Sequence, residues 1–222
     1  MRKDPLVNGQ CYHIFSRSIA KYIIFNNSSD FERLIELIDL YRFNDFFYKY
    51  SGFLELNAFF RLKYVEGLKL TSSKSVEIIS YSIMPTHIHL TLKQLVDGGI
   101  SKYMAKILNS YTRYFNIQHQ RKGPLWEGKF QSVLVNDDDQ LLHLTRYHHL
   151  NPVSAGLVTK PEDWTYSSYK EYLDDLEVDG FCDFKDLIVF NRDQYKKFVE
   201  DRIDYQKKLS EIKHLIFNDY SG

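Results

Sequence analysis

Two histidines two residues apart, in Ile83-Met84-Pro85-Thr86-His87-Ile88-His89-Leu90-Thr91-Leu92, are the side chains of this sequence whose types and spacing speak most directly of chemistry. Successive side chains of a strand point to opposite faces, so His87 and His89 would share one face. Two neighbouring imidazoles can hold a divalent ion if oxygen or nitrogen ligands converge from elsewhere in the fold. The same pair also suits a strand whose histidines are satisfied by hydrogen bonds, and spacing alone does not choose.

A second constellation is Arg146-Tyr147-His148-His149-Leu150-Asn151-Pro152. Asp137-Asp138-Asp139 supplies a cap for a helix from Gln140, and Pro152 disfavours helical geometry at the residue before it, so the helix is expected to stop at about Asn151. Tyr147 and Asn151 are i and i+4 and share a face at the last turn, offering a phenol nucleophile and an amide oxygen as a further ligand. His143 shares that face and is a rival ligand or a proton acceptor. His148 and His149 are turned away by about 100° and 200°, so at most one could reach the same place. The chain has 17 tyrosines, so spacing does not single out Tyr147.

These side chains need a frame. Cys11 to Arg17 alternates as a strand, and Asn27-Ser28-Ser29-Asp30 caps a helix carrying Phe31, Leu34, Ile35, Leu37 and Ile38. Residues 43–70 read as a mostly helical insertion. Val76 to Ile83 and His87 to Lys93 form a hairpin about Pro85-Thr86. After Asp97-Gly98-Gly99 comes an amphipathic helix with Met104, Ile107, Leu108, Tyr111 and Phe115 on one stripe and Lys102, Lys106, Asn109, Arg113 and Asn116 on the other. Leu125 to Val135 reads as a further strand. The order β-α-β-β-α-β-α is an α+β fold: a ferredoxin-like split βαβ with an antiparallel sheet, an extra helix carrying the tyrosine, and a C-terminal helical extension.

With 222 residues, 44% hydrophobic and 16% aromatic, the chain can build a substantial core. No stretch is apolar enough to span a membrane, the N-terminus lacks an apolar signal core, and Cys11 and Cys182 have no metal or redox spacing. These features fit a soluble, cytoplasmic protein without a membrane partner. The formal net charge of zero conceals an uneven spread. Residues 101–135 carry Lys102, Lys106, Arg113, Arg121, Lys122 and Lys129 against Glu127 alone, and residues 171–187 carry seven acids against Lys185. A local basic surface suits phosphate contact, and a solvated helix face followed by an acidic loop explains it equally well. No Gly-x-x-x-x-Gly-Lys-Ser/Thr nucleotide loop occurs.

Taken in order, Met84-Pro85-Thr86-His87-Ile88-His89-Leu90, then Tyr111-Thr112-Arg113-Tyr114-Phe115-Asn116, then Arg121 to Phe130, then Arg146 to Val158, then Trp164-Thr165-Tyr166-Ser167-Ser168-Tyr169, resemble the single-tyrosine HUH transposases, the IS200-like superfamily. The Asn-Pro-x-x-Ala-Gly and Trp-Ser-Ser-Tyr-like elements resemble its REP-associated tyrosine transposases. The likeness covers roughly residues 9–173, with residues 43–70 matching poorly.

The resemblance implies a single-stranded DNA endonuclease and strand transferase that binds DNA hairpins, works as a monomer or homodimer, and uses a divalent metal ion, Mg²⁺ or Mn²⁺. Position by position, it puts the metal ligands at His87, His89 and Asn151 and the nucleophile at Tyr147. Lys106, Arg113, Arg121, Lys122 and Lys129 are the candidates for DNA phosphate contact, and Trp126, Phe130 or Tyr114 for base stacking, core packing being as good a reading of Trp126 and Phe130. Two other functions remain open: a domesticated protein that binds structured DNA without transposition, and a metal phosphoesterase using water as nucleophile.

Residues 1–175 are expected to form the transposase domain and residues 176–222 the extension. In the extension, Phe181 to Phe190 docks on the core and Gln194 to Ile216 forms a charged amphipathic helix.

Overall fold

The computed structural model describes residues 5–173 and 180–203. Its elements are β1 (Cys11–Arg17), α1 (Ser28–Tyr41), α2 (Tyr50–Glu55), α3 (Ala58–Thr71), β2 (Val76–Met84), β3 (His87–Gln94), α4 (Gly99–Gln118), β4 (Gln131–Leu134), α5 (Asp138–Ser154), α6 (Tyr169–Tyr172) and α7 (Arg192–Glu200). The strands make one antiparallel sheet in the order β2-β3-β1-β4, the strand order of the split βαβ fold expected from the element sequence.

Strand alternation sorts the sheet into two unlike faces. Tyr12 and Ile14 of β1, Ile88, Leu90 and Leu92 of β3, and Ile78, Tyr81 and Ile83 of β2 join α1 and α4 in one core, with Leu34, Leu37 and Ile38 facing Ile107, Tyr111 and Phe115. Burying such side chains is worth about 1.5–3 kcal/mol each, enough to fix the register of all three strands. On the other face the cross-strand partners are Arg17 with His87, Phe15 with His89, and His13 with Thr91, and from β2 come Ser82 opposite His89 and Ser80 opposite Thr91. A bulge between Ile78 and Ser80 adds Ile79 to β2 and sends it into a second cluster with Leu141 and Leu150 of α5. The sheet therefore lies between α1/α4 and α5, and the polar, histidine-bearing face is the one α5 covers.

The helix starts follow from local capping. Asn27 accepts from the Asp30 amide at the start of α1, and Asp137 accepts from the Gln140 amide at the start of α5, which also carries Asp138 and Asp139 in its first turn, where carboxylates suit the helix dipole.

Two boundaries differ from those expected. The strand expected over Leu125 to Val135 pairs regularly only over Gln131–Leu134, because Pro124-Leu125-Trp126 crosses the end of β1 as a loop touching it through a Ser18–Trp126 bridge. Helix α5 runs past Asn151 to Ser154 with Pro152 inside it. The lost amide is one bond, and the end is closed by bonds from Gly156 N to Val153 O and Leu157 N to Pro152 O, with Gly156 left-handed at φ +69°. Gly156→Ala should therefore lower stability by about 1 kcal/mol, read as a shift in urea midpoint with unchanged slope.

Residues 43–70 do supply helices, α2 and α3, joined to α1 through Phe46, whose ring meets Tyr41 of α1, Phe53 of α2 and Tyr64 of α3. Beyond α5, residues 180–190 form a strap. Phe181 stacks on Tyr81 with centroids 5.3 Å apart, Phe184 stacks on Tyr172 at 3.8 Å, and Ile188 is buried. Arg42 and Lys74 hold Asp183 at 3.3 and 2.6 Å, so part of the acidic stretch is neutralised internally. Helix α7 begins at Arg192 with a reciprocal Asn191–Gln194 capping box and runs to Glu200. The rest of the helix expected to Ile216 lies outside the described residues. No described helix is long and apolar enough to cross a membrane, and both cysteines are free thiols.

Candidate metal and tyrosine site

Helix α5 crosses the polar face so that consecutive residues do different things. Tyr147 stands at the rim, 41% exposed, while His148 and His149 are fully buried. The Tyr147 ring lies 5.5 Å from His89, 6.2 Å from His13 and 6.0 Å from His148, centroid to centroid. His87 meets His89 edge-on at 5.0 Å, with Thr86 Oγ1 2.9 Å from its Nδ1. The strand alternation that puts both histidines on one face puts His89 under the tyrosine, with His87 beside His89.

The densest cluster of ring nitrogens is not the His87/His89 pair. One nitrogen each of His13, His89 and His148 lie within 4.8 Å of one another, and His13 Nε2 sits 2.9 Å from His89 Nδ1. His148 Nδ1 lies 2.9 Å from Ser80 Oγ, which in turn donates to Thr91 Oγ1. That chain makes His148 Nδ1 the donor and leaves Nε2 a bare lone pair, buried and without a hydrogen-bond partner among the described residues. An unmade bond of that kind costs about 1–3 kcal/mol, and a cation among the three rings would satisfy it. On this observation the residues present fit a divalent metal ion.

The electrostatics agree. Burial pushes the His13 and His87 pKa values down to about 4, with Arg17 adding to the effect at His87. Burial, then repulsion from neighbouring imidazoles, holds His89 and His148 well below the usual range. All four rings are neutral at pH 7, the form that binds metal. Burial raises the Tyr147 phenol, and Arg17 opposes part of that rise, so the nucleophile candidate is protonated at neutral pH.

Of the residues singled out from sequence, the fold gathers His87, His89 and Tyr147. Asn151 follows one turn later on α5, half-buried, its Nδ2 without a partner among the described residues. His143 stays outside, exposed beside Asp139 and Arg146. His148 is the one of the two adjacent histidines that reaches the cluster. His149 turns the other way, to Ser168 Oγ at 2.8 Å and the Tyr195 hydroxyl at 2.8 Å, and Tyr195 donates to Thr145. Tyr195→Phe should cost about 1–3 kcal/mol by leaving this buried network short of a partner, measurable as a lower melting temperature.

Lys106 and Arg113 lie on α4, across the sheet from the histidines, and are exposed. Arg121 is occupied by Asn116 Oδ1 and Pro124 O. Lys122 is exposed in the following loop, and Lys129 lines a cleft of about 880 Å³ between α4 and residues 124–131. Trp126 and Phe130 are buried at 7% and 8% exposure, which makes them core residues and removes them as base-stacking platforms. Tyr114 carries the Arg33 guanidinium 4.7 Å from its ring centre and donates to Asp30. Sequence reasoning missed His13 and Arg17. The signal was the i, i+2, i+4 face of β1, which acquires meaning only once β1 pairs with β3.

Residues 63–149 match the family model described as Transposase IS200 like. A putative REP-associated tyrosine transposase of Haemophilus influenzae is 33% identical over 104 residues, 42% of this chain and 58% of that one. A REP-associated tyrosine transposase of Escherichia coli is 23% identical over 104 residues, 46% of this chain and 59% of that one. The chain thus spans less than two thirds of the length of these curated relatives. A solved structure described as a REP-associated tyrosine transposase bound to a REP hairpin superposes with a TM-score of 0.55 at 15% identity, over 79% of this chain and 86% of that one, a likeness of fold. The IS200-like segment runs from α3 into α5, across the histidine strand and the tyrosine helix, and over part of its length the chain is similar to the REP-associated tyrosine transposases.

Proposed function

We propose that the protein is a metal-dependent enzyme that cleaves and rejoins single-stranded DNA, a transposase acting through a 5′-phosphotyrosyl intermediate on DNA bearing a hairpin. The observation that carries the proposal is the Tyr147 ring, half in solvent, 5.5 Å from His89 on the rim of a neutral imidazole cluster. The names of the relatives supply the class of substrate, and the REP hairpin bound to the solved neighbour supplies the structured partner. In this reading residues 1–175 form the catalytic unit and residues 176–222 an extension whose α7 meets α5 through Tyr195, and His87, His89 and Asn151 hold the ion.

A bound divalent cation supplies charge for a non-bridging phosphate oxygen. Tyr147 Oη attacks phosphorus, its bond to phosphorus forms, and the bond to the 3′ oxygen of the preceding nucleotide breaks. The phenol proton passes to water at the exposed rim and the departing oxygen is protonated as a 3′-hydroxyl. Reversal by a 3′-hydroxyl restores a phosphodiester and the free phenol, so no nucleotide energy source is consumed. Arg17, opposite His87 and close enough to lower the Tyr147 pKa, is placed to hold the phosphate being transferred. Lys129, and with it Lys106, Arg113 and Lys122, would contact the DNA outside the cleavage site.

The test is incubation with labelled single-stranded oligonucleotides from the flanks of the protein's own gene plus Mn²⁺, resolved under denaturing conditions. A labelled band at the mass of protein plus cleaved strand is the expected result. Turnover of a phosphoester without any trapped adduct overturns the tyrosine mechanism in favour of water attack, and oligonucleotide binding without cleavage under any metal favours a domesticated DNA-binding role.

A further inference from the structure

We infer that His13, His89 and His148 together form a three-imidazole ion site that takes Zn²⁺, Co²⁺ or a similar borderline transition ion in preference to Mg²⁺. This rests on the reading above that a divalent cation is bound here; it keeps His89 as a ligand and puts His13 and His148 in the places that reading gives to His87 and Asn151.

Three independent features point to it. The mutual approach of the three rings is the first: their ligating atoms lie within 4.8 Å, and His13 and His89 are already at 2.9 Å. A shift of tautomer in one of those two rings moves the shared proton to its far nitrogen and frees both facing lone pairs, with no net gain or loss of protons. The unpartnered, fully buried His148 Nε2 is the second, because Ser80 fixes its tautomer in the way that outer hydrogen bonds fix metal-bound histidines. Composition is the third. Among the described residues no carboxylate or thiol joins the cluster, and the charged neighbour felt by the His87, His89 and Tyr147 side chains is Arg17. Mg²⁺ favours oxygen ligands and gives up its waters reluctantly, so three imidazoles hold it poorly, whereas imidazole suits Zn²⁺, Co²⁺, Ni²⁺ and Cu²⁺.

The experiment uses the full chain stripped with a chelator and titrated with Co²⁺, followed by visible absorption. One equivalent should bind, Zn²⁺ should displace it stoichiometrically, and a thousandfold excess of Mg²⁺ should not. His13→Ala, a half-buried strand substitution, should weaken Co²⁺ binding at least tenfold and change the spectrum of the saturated complex. His148→Ala should do the same, with its melting temperature in chelator reporting whether it folds. Binding of Co²⁺ no tighter than Mg²⁺ overturns the inference, and so does a His13→Ala spectrum identical to wild type at saturation, which would make His13 only a support for His89. If His13→Ala binds Co²⁺ normally while oligonucleotide adducts form, the strand-transfer reading stands and the triad falls. If the triad binds as expected and no adduct forms with any metal, the triad stands and the strand-transfer reading falls.

Discussion

Tyr147→Phe is expected to leave the fold and oligonucleotide binding intact and to abolish the covalent protein–DNA adduct, with cleavage falling at least about 10³-fold, or about 4 kcal/mol in barrier. The substitution removes one hydroxyl from a ring at the rim, where 41% exposure means no buried partner is orphaned. The Tyr147 hydroxyl makes no hydrogen bond among the described residues, so its loss has no structural reason to propagate. A Phe variant that still formed an adduct would send the nucleophile elsewhere; among the described residues Tyr147 is the tyrosine whose ring meets His13, His89 and His148. The measurement is denaturing gel analysis of labelled oligonucleotide with wild type and variant at matched Mn²⁺.

The second large effect is on stability. Burial pushes His13 and His87 down to about 4 and His149 down to about 3, and holds His89 and His148 well below their ordinary range. The folded protein refuses protons that the unfolded chain takes up near pH 6.5, so unfolding binds protons and stability falls as pH drops from about 6.5 toward 3. Each pH unit of separation is worth about 1.4 kcal/mol per group, so even with partial screening at His13 and His87 the total is several kcal/mol. That is a large share of the roughly 5–15 kcal/mol holding a domain together. Glu171, whose carboxyl burial raises, opposes the trend as one group against five. Urea midpoints in chelator should be nearly level from pH 7.5 to about 6.5 and decline from there to pH 4. A midpoint constant over that range would mean the rings are protonated in place.

The elements that position the site are readable in the sequence because their signals are local. Alternation marks Cys11 to Arg17 and the His87 strand, Asn27 and Asp137 mark helix starts, and the apolar stripe of α4 marks the buried core. What cannot be read is set by distant pairing. His13 and Arg17 become site residues only because β1 lies against β3 in one particular register, and that register is fixed by the apolar face, not by the histidines. Helical geometry alone turns His148 about 100° from Tyr147 and argues against its sharing the site. The turn is real, yet α5 lies flat on the sheet, so the side facing down meets Ser80 and His13 while Tyr147 looks over the edge. The basic segment shows its charge in the sequence but not its place: α4 spends its apolar stripe on the α1 core and leaves Lys106 and Arg113 across the sheet from the tyrosine.

The two adjacent histidines of α5 fasten the helix in opposite directions, His148 to the strand beneath and His149 to Ser168 and Tyr195 of the segments beyond. A helix pinned on both flanks cannot lend its tyrosine to another molecule without breaking both fastenings. Each copy would then be self-sufficient: mixing inactive Tyr147→Phe and His89→Ala proteins should restore no cleavage, and recovered activity in the mixture would mean that α5 changes hands between chains.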